Sequence, residues 1–170
     1  ADPSALVGNW YQPIDDGAFY LRITQRAESR VLDAMIIAVG FEEGNAVRWL
    51  RSSVHLTEID GQTYANIRRH AGEGDDYTAP GQPPGYIIAR IDLSPEGDLL
   101  TTWMSSSTIE GLIEEGRAQG REVEGFYDGE EVPYLYFDMD RDALVAFIRS
   151  VPPDTLFDEP GTFLRLPDEE

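Results

Sequence analysis

The sequence predicts a mainly β protein, a β-rich α+β chain. Its antiparallel meander should curl into a barrel of about 8–10 strands, with two short helices near residues 106–116 and 139–150. Three observations carry this expectation. Apolar and polar residues alternate with period two in one run after another. Turn signals such as Asp60-Gly61 and Pro95-Glu96-Gly97-Asp98 separate those runs at short intervals. Helical spacing comes only late, so regular βαβ crossovers cannot join the strands, and a long meander loses its edges by closing on itself.

Each element follows from local residue choice. Leu6-Val7-Gly8-Asn9-Trp10-Tyr11 is a short apolar run, ended by Pro13 and Asp15-Asp16-Gly17. Phe19, Leu21 and Ile23 alternate with Tyr20, Arg22 and Thr24, the period of a half-buried strand. Residues 31–39 are almost continuously apolar and predict a central strand buried on both faces. Val47, Trp49 and Arg51 alternate after a turn at residues 42–45, and residues 54–59 then lead to Asp60-Gly61, the strongest hairpin signal in the chain. Residues 62–69 return. Residues 71–85 are rich in glycine and proline and predict a long loop, functional or mobile. Strands resume at residues 86–91 and 99–104. Ser105-Ser106-Ser107 offers caps for a helix carrying Ile109, Leu112 and Ile113, with Gly116 as its stop. A strand at residues 132–137 precedes the second helix, which starts at Asp138 or Asp140 and stops before Pro152-Pro153. Residues 162–166 form the last strand.

At 170 residues the length fits one domain with a real core, residues 6–166. Residues 1–5 read as a tether or a cloning scar, and residues 167–170 as an acidic tail. Acids outnumber bases 32 to 13, for a formal charge of −19. That field excludes a general nucleic-acid binder and disfavours docking on anionic lipid headgroups. Every base is arginine. The acids concentrate on predicted helices and turns, while most arginines fall in predicted strands. The absence of cysteine excludes disulfides and thiolate chemistry. No apolar run reaches the roughly 18 residues of a membrane helix, so no transmembrane segment is expected. A chain opening Ala1-Asp2-Pro3-Ser4 without methionine suggests export, to the periplasm or to an outer-membrane lipid anchor attached upstream of Ala1.

No catalytic motif is strong. Asp138-Met139-Asp140-Arg141-Asp142 opens like a calcium loop, but the sixth and twelfth positions are Ala143 and Arg149 where glycine and glutamate are needed. The residues suit a helix N-terminus instead. Glu73, Asp75 and Asp76 lack a spacing that demands a cation. His55 and His70 do not stand at zinc spacing. Ser105, Ser106 and Ser107 sit outside any nucleophile elbow. No catalytic residue, metal ligand or cofactor is therefore expected, and the chain reads as a non-enzyme.

Gly8-Asn9-Trp10 near the start of the first strand, with Arg165 on the last, resembles the G-x-W opening of the lipocalin-like (calycin) barrels. The resemblance implies that Trp10 closes one barrel end and that Arg165 packs over it, with Gly8, Trp10 and Arg165 as the closure. The late helix followed by a final strand also looks like that group. The absence of the usual cysteines, and helices on both sides of residues 132–137, make the chain more similar to small exported bacterial proteins and lipoproteins of unknown function.

Aromatic residues mark most predicted strands, and core filling is their ordinary role. An inward row in a barrel can also line a ligand cavity. Trp49 with Arg48 or Arg51, and Trp103 near Tyr86 and Arg90, are the candidate ligand-binding residues. The leading expectation is a monomeric, non-catalytic exported domain that holds a small apolar or amphipathic molecule. The alternative is an interaction module with a filled core, contacting an envelope protein through residues 71–85 and the acidic stretch 110–131. A third is a hydrolase using a carboxylate pair.

Overall fold

Trp10 lies on a first strand, β1 (Gly8–Ile14), that pairs in antiparallel register with β2 (Gly17–Gln25). A computed structural model of the chain describes residues 2–15, 17–26, 30–40, 48–69, 87–127 and 130–167, the side chains of 48, 49, 69, 123–127 and 130–136 aside. β3 (Leu32–Val39), β4 (Arg48–Ile59), β5 (Gln62–Arg69), β6 (Ile87–Leu93) and β7 (Leu99–Trp103) follow. A two-stranded ribbon, β8 (Gly120–Tyr127) with β9 (Glu130–Phe137), comes before the last strand, β10 (Gly161–Arg165). Eight strands close a barrel in the order β1-β10-β7-β6-β5-β4-β3-β2, all antiparallel where their register is described. The predicted mainly β class and the antiparallel barrel are what the chain adopts, with 53% of it in strands.

The hairpin signals work as expected. Asp60 and Gly61 hold φ of 53° and 80°, which a tight turn between right-twisted strands requires, and they join β4 to β5. Between β6 and β7 the Ser94 hydroxyl accepts from the amides of Glu96 and Asp98, fixing the Pro95–Asp98 turn.

Four expectations change. The runs read as separate on either side of Ser52-Ser53 are one 12-residue strand, Arg48–Ile59, because Ser52 and Ser53 continue the alternation without a turn residue; Val47 lies outside the described residues. Strand β3 is not buried on both faces. A barrel strand has one inner face, and outward Val39 is 39% exposed. Strand β8 lies where no strand was expected, since Arg121-Glu122-Val123-Glu124 gives no apolar alternation. Residues 3–6, read within or beside a tether, form a 3-10 turn in which Asp2 accepts from the Ser4 amide and Pro3 fits the first position.

The interval read as one domain contains two compact units. The first is the barrel, from residues 1–70, 86–101 and 160–170. The second has 102–159 as its described part. The second unit carries three short helices rather than two, namely α1 (Ser106–Glu114), α2 (Arg141–Ser150) and the single turn α3 (Pro153–Leu156). Helix α1 stops at Gly116 as expected, where the amides of Gly116 and Arg117 donate back to Ile113 and Leu112. Asp140 caps α2 by accepting from the Ala143 amide at 2.9 Å, so these aspartates serve a helix end. Phe147 packs on Phe137, ring centres 5.7 Å apart, and Leu156 and Phe157 are buried beside the Met104–Phe157 bridge.

Candidate functional site

Register sorts the barrel residues into two faces. Trp10 opposite Leu21, Leu21 opposite Ile36, and Ile36 opposite Leu50 form one inward level. The inward row continues through Val54, Leu56, Ala65, Ile67, Ala89, Ile91, Leu99, Thr101, Gly161 and Phe163. Burial then divides this row by height. Around Trp10, the residues Leu6, Ile23, Leu32, Val54, Ala65, Ile91, Leu99 and Phe163 are all buried and form one cluster. Toward the other end Phe19, Leu21, Ala34, Ile36, Ala38, Ile67 and Ile87 are only half-buried. They belong to the inward row, and Phe19, Leu21, Ala34, Ile36 and Ile67 pack against that cluster while keeping part of their surface exposed. Leu56 and Leu93, at the rim of the closed end, are half-buried as well.

The closed end has a specific plug. The 3-10 turn lays Leu6 into the barrel, and the Trp10 indole N–H donates to the Leu6 carbonyl at 3.1 Å. The Arg165 guanidinium sits over the indole, 5.0 Å from the ring centre. It donates to the carbonyls of Val7 at 2.9 Å and Ala5 at 3.5 Å. Gly8 makes room for it, since a Cβ at Gly8 would stand 3.3 Å from a guanidinium nitrogen. One arginine thus ties the last strand, the first strand and the turn before it. The attraction of cation and ring adds about 0.5–1 kcal/mol at an exposed site.

Among the other residues singled out from sequence, only some are described. Arg51 is exposed in the outward row, opposite Met35. Arg90 is half-buried and also outward, opposite Tyr64. Trp49 takes the register position opposite Ile37, in the outward row, and Arg48 that opposite Ala38, in the inward row; neither side chain is described. Trp103 belongs to the second unit and is 42% exposed. Tyr86, with residues 71–85 and His70, lies outside the described residues, and His55 is exposed. Outward Tyr64 is buried, which pushes its phenol above the usual tyrosine range, with the Arg90 charge opposing. Among the described residues the inward row is mainly aliphatic, with Phe19, and its polar members include Gln12, Ser52, Thr63 and Thr101.

Among the described residues, no group of three or more His, Asp or Glu side chains could hold a metal ion. None of the described helices is long and apolar enough to cross a membrane. A shallow depression on α2, lined by Val145, Ala146 and Arg149, is open to solvent. The eight-stranded antiparallel barrel is compatible with a lipocalin-like fold. No protein-family model, curated protein or solved structure matches this chain.

Proposed function

We propose that the barrel holds a small apolar or amphipathic molecule in its open half and performs no chemistry on it. The observation that carries the reading is the division of one inward row. Phe19, Leu21, Ile36 and Ile67 belong to the inward row and touch the cluster around Trp10 yet stay only partly buried, while the cluster itself is buried. Apolar surface held open to water inside a rigid wall gains free energy when an apolar guest covers it. The closed end supports the reading from below. Its plug is built from the chain's own groups, Leu6, Trp10 and Arg165.

Titration with 1-aminoanthracene, a neutral dye that brightens in apolar surroundings, tests this. Wild-type protein should bind the dye saturably, one per chain. Ile36→Trp should fill the lumen, keep the urea midpoint and abolish binding. Dye that never saturates, or that binds Ile36→Trp unchanged, overturns the carrier.

A second reading rests on the outer wall. Leu164, Tyr11, Tyr20 and Ile37 stand opposite one another across four neighbouring strands. Leu164 is 43% and Tyr20 41% exposed, and the two tyrosine rings lie 5.2 Å apart. An apolar row of this kind suits contact with another protein. On that reading the lumen binds no dye, which the same titration reads.

A further inference from the structure

The lumen wall holds one polar feature that packing does not explain. Thr101 is 7% exposed, and its hydroxyl oxygen is buried without a hydrogen-bond partner. Native proteins rarely leave a buried hydroxyl unpaired, because the group has lost water and gained nothing. Thr101 stands opposite Gly161, in the inward row that continues to Leu99 and Phe163. A Cβ placed on Gly161 would lie 2.9 Å from Gln12 Nε2 and 3.6 Å from Thr101 Oγ1. Glycine at this position therefore leaves room that the Gln12 amide occupies, with the Thr101 hydroxyl beside it. The three residues come from adjacent strands, β1, β10 and β7. The next inward residues on β2 are apolar, since Gln12 is opposite Phe19 and Trp10 opposite Leu21.

We propose that the occupant of the lumen is an amphipathic molecule whose neutral oxygen end group, a hydroxyl or a carbonyl, seats in the notch between Gln12, Gly161 and Thr101. Its apolar chain lies along Phe19, Leu21 and Ile36. This rests on the carrier reading and adds the head-group class. The Gln12 amide lies across the notch and turns aside to admit the oxygen. An amide turns in this way by a rotamer change within a row of half-buried neighbours. Gln12 Nε2 then donates to that oxygen, and the Thr101 hydroxyl gains its missing partner by donating to it or accepting from it. The three notch residues themselves carry no charge to offset the desolvation of an anionic head.

Displacement of bound 1-aminoanthracene by octan-1-ol, octanoate and octane tests the head group. Thr101→Val keeps the shape and removes the hydroxyl. It should weaken octan-1-ol roughly tenfold, the worth of one buried hydrogen bond, and leave octane within about twofold. Thr101→Ser should restore octan-1-ol. Gly161→Ala should fill the notch and lower the octan-1-ol to octane preference in the same way. Should Thr101→Val not fold, Gln12→Leu reads the same ratio. An unchanged ratio in the variants overturns the notch while leaving the carrier intact. Octanoate displacing dye better than octan-1-ol overturns the neutral head group. Wild-type protein that binds no dye overturns the carrier and the notch together.

Discussion

Leu32 and Ile36 sit four residues apart on the same strand, facing the same lumen, and they end differently. Leu32 is 1% exposed, while Ile36 is half-buried. Strand type, face and side-chain size cannot account for the difference. What differs is the closure at each end. At the Leu32 end the chain folds a 3-10 turn inward, drops Leu6 and Trp10 into the lumen, and pins both with Arg165. At the Ile36 end the described strands bring no comparable plug. A barrel wall by itself packs nothing; burial comes from what enters the barrel.

The largest effect should come from removing the plug. Trp10 is fully buried, so Trp10→Ala should cost about 3–5 kcal/mol of stability, read as a lower urea midpoint. A loss under about 1 kcal/mol would mean that the closed end is not the stabilising half, and the contrast would fail.

The paired truncation sharpens the contrast within one strand. Leu32→Ala should cost about 2–5 kcal/mol, because it opens a cavity among packed neighbours. Ile36→Ala should cost less, about 1–2 kcal/mol, because part of its surface stays exposed. Equal losses at the two sites would show that the open half is filled.

These differences bear on how much the sequence discloses. Gly8, Trp10 and Arg165 could be picked out because Gly8-Asn9-Trp10 resembles the G-x-W opening of lipocalin-like barrels, and the structure gives each a geometric role: a missing Cβ, a ring and a planar cation that stacks on it. Asp60-Gly61 and Asp140 were legible because turns and caps are local. The lumen wall was not. Alternation separates two faces of a strand without saying which one a barrel will enclose, and aromatic residues fall in both rows. Tyr11, Tyr20 and the Trp49 position share the outer row, whereas the lumen takes Ala34, Ile36, Ile67 and Ala89. Gln12, Thr101 and Gly161 come from the start, the middle and the end of the chain, and only the register brings them together. A glycine opening the last strand was the one available signal for that notch.

Arg165 supplies the smallest and most selective test of the contrast. Its guanidinium combines stacking on Trp10 with two carbonyl contacts, to Val7 and Ala5. A lysine ammonium is a point donor and cannot keep the planar stack while spanning both carbonyls. Arg165→Lys should therefore lower stability by about 1 kcal/mol. The change falls at the end remote from Gly161 and Thr101, so dye affinity should stay within about twofold of wild type. If dye affinity falls along with stability, the two halves are coupled through the barrel wall, and the plug contributes to the shape of the lumen as well as to its closure.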